Sequence, residues 1–209
     1  MFVSIEGCDG SGKSTAVRLV GEQLQAMGYN VTTTRTPGGT LLGCHLRQLL
    51  VGDSFDIPQR ARPLLFMADM EAVVKEVIMP ALDRGEIAIT DRYFDSTVVY
   101  QILCGAWSES EQNQLIALGR SMLPMPDLTV VLDISPARSR ERLEQRGDVL
   151  TYYDLASETE AARRRREYLD LWKRFPERNI QYVDTGDKPP ELVAEAICMM
   201  ITLVSANSD

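Results

Sequence analysis

The sequence has few of the residues that build metal sites and disulfide frameworks. It contains one histidine and four cysteines, and no two cysteines are spaced as CxxC. This composition excludes a zinc-finger pattern and gives no sign of a disulfide-rich secreted domain. Basic residues are also in the minority, with 22 Lys and Arg against 30 Asp and Glu and a net charge of −8. Such a chain does not hold a nucleic acid polymer by overall charge, so any anion that it binds is met locally.

Long apolar runs and a signal segment are missing as well. No stretch is long and apolar enough to span a bilayer, so we predict no membrane partner. The chain begins directly with a strand pattern that leaves no room for a signal peptide, which predicts a cytoplasmic protein. With 209 residues, of which 44% are apolar, the sequence predicts one domain over residues 1–209.

Short runs of β-branched residues alternate with segments of helical periodicity. Predicted strands cover residues 2–6, 29–34, 86–90, 128–133 and 180–184, and predicted helices cover residues 14–27, 40–50, 62–82, 109–123, 137–145 and 191–204. This alternation indicates a three-layer α/β fold, with a five-stranded parallel sheet and helices on both faces. A ligand crevice is expected at the carboxyl edge of the sheet.

Residues 7–15 read GCDGSGKST and fit the pattern G-x-x-x-x-G-K-[ST], between a predicted strand and a predicted helix. In that context the pattern is typical of a P-loop, whose glycines let backbone N–H groups converge on phosphate oxygens at a helix N-terminus. The predicted nucleotide-binding residues are Gly7, Cys8, Asp9, Gly10, Ser11, Gly12, Lys13, Ser14 and Thr15. We expect Lys13 to neutralise phosphates and the Ser14 hydroxyl to ligate Mg²⁺.

Asp9 lies inside this loop, where a carboxylate would face phosphates. That position is unfavourable unless a cation or a donor lies between the two. We therefore expect Asp9 to contact Mg²⁺ through water or to accept a hydrogen bond from a second substrate. A turn-stabilising role is the alternative.

Two arginines follow predicted strands at the same edge of the sheet. Arg35 leads into the turn TPGGT after the second strand, and Arg92 follows Asp91 at the end of the third. Because guanidinium groups bind phosphate through paired hydrogen bonds, we predict a second anion opposite the P-loop, which a phosphotransferase needs and a simple NTPase does not. Asp91 is expected to orient Mg²⁺ through water. Ordinary surface ion pairs are the alternative for the arginines.

Six segments resemble the thymidylate kinases in order and spacing: FVSIEGCDGSGKST, TRTPGGT, RPLLFMADM, ITDRYFDSTVVYQ, PDLTVVLDISPARSRERLEQRG and RREYLDL. The resemblance covers nearly the whole chain. It implies a P-loop NTPase fold of the nucleoside monophosphate kinase type, with a short lid at about residues 138–166. It also implies ATP and Mg²⁺ as cofactors, a homodimer, and ATP-dependent phosphorylation of a deoxypyrimidine monophosphate, dTMP above all.

The resemblance further implies roles for single residues. The acceptor phosphate and sugar would meet Asp9, Arg35 and Arg92, while Phe66 would stack on the pyrimidine and Tyr100 would pack where a 2′-hydroxyl would lie. The residues implied for the acceptor site are Asp9, Arg35, Phe66, Met70, Arg92, Ser96, Thr97, Tyr100 and Gln101, and those implied for catalysis are Asp9, Lys13, Arg35, Arg92, Arg142 and Arg146.

Met70 departs from the family pattern, which carries at this position an arginine that donates to the thymine O4 edge. Without that donor a keto oxygen is not selected over an amino group, so dCMP-type, dUMP and 5-modified monophosphates stay open as acceptors beside dTMP. The alternative is that Met70 is a core residue and that Arg62 or another arginine serves the base.

The predicted lid departs from the pattern too, since residues 148–154 contain no arginine. Lid arginines stabilise the transferred phosphoryl group. Arg142 and Arg146 are the first candidates to replace them, followed by Arg138 and the arginine run 163–166. That run can equally be a solvated helix face.

Two other functions stay open from the sequence. A kinase of a nucleoside or another small alcohol would not need Arg35 and Arg92. A P-loop ATPase or regulatory switch would turn over ATP without any nucleoside monophosphate.

Overall fold

The computed structural model describes residues 1–52, 56–146, 153 and 156–206, with the backbone only at Arg146. Within these residues the strands are β1 Phe2–Gly7, β2 Val31–Arg35, β3 Ile87–Asp91, β4 Leu128–Asp133 and β5 Ile180–Asp184. They form one sheet in the order β2-β3-β1-β4-β5, and every neighbouring pair is parallel. The predicted five-stranded parallel sheet is confirmed.

Helices fill the connections between the strands. The described α-helices are α1 Lys13–Ala26, α2 Leu41–Val51, α3 Arg62–Val73, α4 Met79–Asp83, α5 Phe94–Thr97, α6 Glu109–Met122, α7 Pro136–Arg146, α8 Glu158–Leu169, α9 Leu171–Arg174 and α10 Pro190–Ala206. A π-helical stretch, Val74–Ile78, joins α3 to α4, and a second one, Val98–Leu103, continues α5. The helix predicted over residues 62–82 is therefore confirmed as an almost continuous one.

The sheet buries apolar side chains on both faces, because successive side chains of a strand point to opposite sides. On one face Val3 packs with Val20 of α1 and Ile197 of α10. On the other face Phe2 belongs to the cluster that contains Tyr168 of α8 and apolar residues of α3 and α6. This arrangement confirms the three-layer α/β architecture.

The register of the sheet brings three strand ends to one edge. Asp91, the last residue of β3, lies opposite Ile5 of β1 and opposite Arg35, the last residue of β2. The segments that follow β1, β2 and β3 therefore start side by side, as expected for the carboxyl edge of a parallel sheet. In the described part of the chain no helix is long and apolar enough to cross a membrane.

Candidate active site

The loop between β1 and α1 has the backbone that a P-loop needs. Gly7, Gly10 and Gly12 have φ values of 137°, 75° and 91°, which only glycine adopts readily. A Cβ atom on Gly10 would lie 2.7 Å from the carbonyl oxygen of Ser139, and the Ser139 hydroxyl donates to the carbonyl of Asp9 at 2.6 Å. The loop is thus held against α7 and leads into the N-terminus of α1, whose first amide groups have no partner within the helix.

Lys13 places a buried ammonium group within the loop. Its Nζ donates to the carbonyl oxygen of Cys8 at 2.7 Å. Burial, followed by the nearby Arg92 guanidinium, lowers the pKa of Lys13 to about 8. An anion bound in the loop would favour the charged form and reverse part of this shift.

Ser14 and Asp91 form a pair of oxygen ligands at the start of α1. The Ser14 Oγ donates to the Asp91 Oδ2 at 2.5 Å. Oxygen atoms of this kind suit Mg²⁺, which keeps several waters and takes one or two protein ligands together with substrate phosphates. Across the described residues no group of three or more His, Cys, Asp and Glu side chains is placed to hold a metal. The pair therefore fits a cation that is shared with a bound phosphate.

Arg92 crosses the site from the end of β3 to the P-loop. It is a non-glycine residue with a φ value of 68°, an uncommon conformation that marks functional positions. Its guanidinium forms an ion pair with Asp9 and donates to the Gly7 carbonyl at 3.1 Å and to the Ser96 hydroxyl at 2.9 Å. The same group lies 5.2 Å from the centre of the Tyr100 ring. These contacts fix Arg92 in one orientation beside the loop.

Asp9 is ionised at the centre of this network. Burial opposes its charge, but Arg92 and then Lys13 outweigh burial and hold the pKa of Asp9 below its usual range. The Tyr100 hydroxyl also donates to the Asp9 Oδ2 at 2.8 Å. Asp9 thus has a donor on each carboxylate oxygen, which answers why a carboxylate is tolerated near a phosphate loop.

Glu6 is a buried carboxyl group that the sequence reasoning missed. It is fully buried in β1, and it accepts from the Tyr93 amide at 2.7 Å and from the Ser96 hydroxyl at 2.6 Å. Burial, followed by the charge of Asp95, raises the pKa of Glu6 to about 7. An acidic residue in a strand of mainly apolar residues was the available signal. Glu6 orients the segment that carries Ser96 toward the site.

A cavity of about 560 Å³ lies at this edge of the sheet. Its wall contains most of the residues that the sequence predicted for the site: Asp9, Gly10, Gly12, Lys13, Ser14, Thr15, Arg35, Phe66, Asp91, Arg92, Ser96, Thr97, Tyr100, Gln101 and Arg142. The P-loop, both arginines and the two aromatic residues therefore share one space. Gly7, Cys8 and Ser11 belong to the loop behind this wall.

Arg35 and Arg47 form a second cationic wall across from the P-loop. Arg35 is exposed, and in the described part of the chain it has no ion pair or hydrogen bond through its side chain. Arg47 of α2 donates to the Pro37 carbonyl at 3.0 Å, and burial, followed by the charge of Arg35, lowers its pKa. Sequence reasoning missed Arg47, because nothing in the spacing of α2 marks which residue faces the cavity. This wall can receive an anion that the P-loop does not hold.

Met70 does not line the cavity. Its side chain is 1% exposed and belongs to the apolar cluster that contains Phe2 and Tyr168. Phe66, one turn earlier, lies at the cavity wall. Of the two interpretations drawn from the sequence, this placement agrees with Met70 as a core residue.

Arg142 and Arg146 occupy different positions on α7. The Arg142 guanidinium donates to the carbonyl oxygens of Thr185 and Gly186 at 2.6 and 3.0 Å. Arg142 therefore lines the cavity while fixed to the loop after β5. Arg146 is the last residue of α7, and its side chain lies outside the described part, as do residues 148–152 and 154 of the predicted lid.

Tyr153 contributes to the cavity from the segment between α7 and α8, and sequence reasoning missed it. Its hydroxyl oxygen accepts from the Gln101 Nε2 at 3.0 Å and from the Arg62 Nη1 at 3.2 Å. Its ring packs edge-on against the Tyr100 ring at 5.8 Å. Because the contact joins distant parts of the chain, no local pattern predicts it.

Comparison with known proteins identifies relatives along nearly the full chain. The family model described as "Thymidylate kinase" matches residues 5–197. A thymidylate kinase from Bifidobacterium longum (strain NCC 2705) is 42% identical over 182 residues, which cover 85% of this chain and 86% of that protein.

Similar proteins occur in other organisms as well. A thymidylate kinase from Leifsonia xyli subsp. xyli (strain CTCB07) is 38% identical over 203 residues, covering 96% of this chain and 94% of its own. A protein named "Probable thymidylate kinase" from Pyrococcus horikoshii is 38% identical over 184 residues, covering 86% of each chain. The similarity thus extends over both the P-loop and the second cationic wall.

Proposed function

The chain belongs to the thymidylate kinase family, and on this premise we propose that it transfers the γ-phosphate of ATP to dTMP, giving ADP and dTDP. It is a nucleoside monophosphate kinase with ATP as the phosphate donor. The observation that carries this proposal is a cavity in which a P-loop and a separate cationic wall face each other. Two anion sites facing each other suit transfer between two phosphates.

Each wall is proposed to bind one substrate. The phosphates of ATP would lie in the loop, where Lys13 and the N-terminus of α1 offset their charge. The dTMP phosphate would lie between Arg35 and Arg92, with its base against Phe66. Tyr100, whose hydroxyl is held by Asp9, would pack beside the sugar. This arrangement brings the acceptor oxygen toward the γ-phosphorus by binding alone.

We also propose Mg²⁺ as a cofactor. The Ser14 hydroxyl would ligate it directly and Asp91 would contact it through water, in agreement with the oxygen pair at the start of α1. When bound, Mg²⁺ supplies positive charge to the phosphate oxygens.

The thymidylate kinase relatives favour dTMP as the acceptor over dCMP-type, dUMP and 5-modified monophosphates. The sequence left these acceptors open because Met70 replaces an arginine. Met70 is buried in the core and does not line the cavity, so a donor to the base edge would have to come from another residue. Thr97 and Gln101 line the cavity beyond Phe66 and are proposed to face the base edge. The relatives likewise do not favour a nucleoside kinase, an ATPase or a regulatory switch.

An ADP-release assay over a panel of acceptors tests the proposed reaction. We expect dTMP to give the highest kcat/KM, above dUMP, dCMP and 5-methyl-dCMP, and the assay without an acceptor to give little ADP. Thymidine is the matched control, because it has the same base and sugar without the phosphate that Arg35 and Arg92 would bind. ADP release that does not depend on a nucleoside monophosphate, or that is equally fast with thymidine, would refute the proposal.

The affinity for ATP should depend on pH through Lys13. Because the pKa of Lys13 is lowered to about 8 in the free protein, its ammonium loses a proton as the pH rises through that value. ATP requires the charged form, so we expect its dissociation constant to increase between about pH 7 and pH 9. Titration calorimetry would measure this. Lys13→Arg is the control, since a guanidinium keeps its proton over this range. If the dissociation constant of ATP rose equally in Lys13→Arg, or did not rise in the wild type, Lys13 would not be the group that sets the pH dependence.

Three broader predictions remain proposals. A homodimer would use exposed apolar side chains of α2 and α6, among them Leu41 at 77% and Met122 at 52% exposed. Sedimentation equilibrium would measure the mass of the assembly. A cytoplasmic location and the division of the chain into one domain with a lid at about residues 138–166 also stay predictions.

A further inference from the structure

The sequence has no arginine or lysine from residue 147 to residue 162. A phosphoryl transfer that lacks a lid arginine in this stretch needs another cation beside the phosphate in transit. Arg142 is fixed by two carbonyl oxygens of the loop after β5. Arg138 is paired with Glu141, and the exposed Arg140 donates to the carbonyl of Ala156 at 3.1 Å. The next candidates are the arginines at residues 163–166, on α8.

The four arginines of this run have different surroundings. Arg165 forms a two-pronged ion pair with Asp133, at 2.6 and 2.8 Å, which neutralises its charge. Arg163 is exposed and donates to the carbonyl of Leu103 at 2.6 Å. Arg166 is exposed. Arg165 and Arg163 thus have polar partners and Arg166 is in solvent, so the solvated helix face predicted from the sequence describes only part of the run.

Arg164 is the member that turns inward. Its guanidinium carbon lies 4.7 Å from the centre of the Tyr100 ring and 5.9 Å from that of Tyr153, and its Nη1 donates to the Tyr153 carbonyl at 2.9 Å. Cation–π contacts with two rings restrict the rotamers of a long side chain. Because the Tyr100 hydroxyl in turn donates to Asp9, Arg164 is positioned relative to the P-loop.

Arg164 acts at a distance on the carboxylates of Asp9 and Glu160, and its charge contributes to lowering the pKa of each. Among the described residues it forms no ion pair with a carboxylate, in contrast to Arg165 and to Arg92. It lines a second cavity of about 310 Å³ with Cys8 and Asp9 of the P-loop, and the wall of this cavity also contains Arg140, Glu141, Glu144 and Glu158. A guanidinium with uncommitted donors thus stands on the α8 side of the loop, with Arg92 on the β3 side.

We propose that Arg164 is the arginine that contacts the phosphoryl group during transfer, in place of an arginine within residues 148–154. The inference rests on the proposed kinase reaction. In that reaction an oxygen of the dTMP phosphate forms a bond to the γ-phosphorus of ATP while the bond from that phosphorus to the β–γ bridging oxygen breaks. The electron pair of the broken bond leaves on ADP. Arg164 would donate to the oxygens of the group in flight from the side opposite Arg92.

The test compares Arg164→Met, Arg164→Lys and, as a matched control on the same helix, Arg166→Met. For Arg164→Met we expect kcat to fall by about 10²-fold, as for the loss of one donor to a transition state. The dissociation constants of ATP and of dTMP, measured separately, should change by less than about threefold. The affinity for the transition-state analogue ADP plus aluminium fluoride plus dTMP should fall with kcat.

The two other variants complete the test. Arg164→Lys should recover only part of kcat, because an ammonium group lacks the planar fork of donors. Arg166→Met should keep kcat within about twofold of the wild type, as expected for an exposed side chain. Circular dichroism of each variant checks folding. If Arg164→Met does not fold, the kcat of Arg164→Lys is compared with that of the wild type instead.

Two results would overturn the inference. One is a kcat for Arg164→Met, or for Arg164→Lys if only that variant folds, within about threefold of the wild type. The other is an equal loss of affinity for ATP, dTMP and the analogue, which would indicate a structural role. A wild-type protein that releases no ADP with dTMP would instead refute the proposed reaction, so the two failures are distinguishable.

Discussion

Arg92→Met is expected to lower kcat/KM for dTMP by about 10³- to 10⁴-fold. The substitution removes a guanidinium that is oriented in advance by four partners, Gly7, Asp9, Ser96 and the Tyr168 hydroxyl. It also leaves the Asp9 carboxylate without its ion-pair partner in a buried position. Because Arg92 is the main influence that lowers the pKa of Asp9, that pKa should rise in the variant.

Initial-rate kinetics with dTMP as the varied substrate measures this effect, and two variants control it. Arg84→Met removes an arginine from the opposite end of β3, where the side chain is 55% exposed and pairs with Glu86. That variant should keep nearly full activity, since surface ion pairs contribute little. Arg92→Lys keeps a positive charge without the paired donors and should be intermediate. More than about a tenth of the wild-type kcat/KM in Arg92→Met would contradict the role.

Arg35 and Arg92 differ in a way that the sequence did not reveal. Both follow strands at the same edge, so the sequence treats them alike. Arg92 is held in a network, whereas Arg35 is exposed without a described side-chain partner. A cation that is already fixed can stabilise developing charge without reorganisation. An exposed side chain without partners loses conformational entropy when it binds the ligand. We therefore propose that Arg92 stabilises the transition state and that Arg35 captures the acceptor phosphate.

The parts of the fold that were predicted are those that local patterns determine. The alternation of β-branched strands with helical periods predicts the parallel sheet, and the parallel sheet alone places Lys13, Arg35 and Asp91 at one edge. The short α5 was missed, and the highly charged α8 was predicted only as a possible helix face around residues 163–166, without its bounds. The first has only four residues, and the second has little apolar periodicity to detect.

The parts of the site that were missed depend on packing between distant segments. Tyr153 reaches Gln101 across 52 positions, and Arg47 faces the cavity only because of the way α2 packs on α3. For Met70 the pattern was ambiguous in principle. Residues four apart share one side of a helix, so the sequence cannot tell which turn of α3 lies at the cavity and which lies over the core.

Arg178→Met is expected to reduce the free energy of unfolding by about 3–5 kcal/mol, the cost of leaving a buried charge without its partner. Arg178 and Asp95 form a two-pronged ion pair at 2.6 and 2.7 Å, with side chains 6% and 0% exposed. Arg178 also donates to the Thr129 hydroxyl at 2.7 Å. The pair therefore ties the loop before β5 to α5, the helix that carries Ser96 and Thr97.

The effect should reach the site through Glu6. Burial and then Asp95 already raise the pKa of Glu6 to about 7, so losing the cation beside Asp95 should raise it further. The contribution of a carboxyl group with a raised pKa to stability is fully present below about pH 4.5 and is lost as the pH rises through the folded-state value. The loss of stability caused by Arg178→Met should accordingly be larger at pH 8 than at about pH 5.

Urea denaturation of four proteins would separate the pair from its surroundings. Arg174→Met, an exposed arginine in the same region, should change the free energy of unfolding by less than about 0.5 kcal/mol. The double variant Asp95→Asn, Arg178→Met should be more stable than Arg178→Met alone, because it removes the unpaired charge. If instead Arg178→Met were as stable as Arg174→Met, the ion pair would not hold α5 in place. The orientation of Ser96 toward Arg92 would then need another cause.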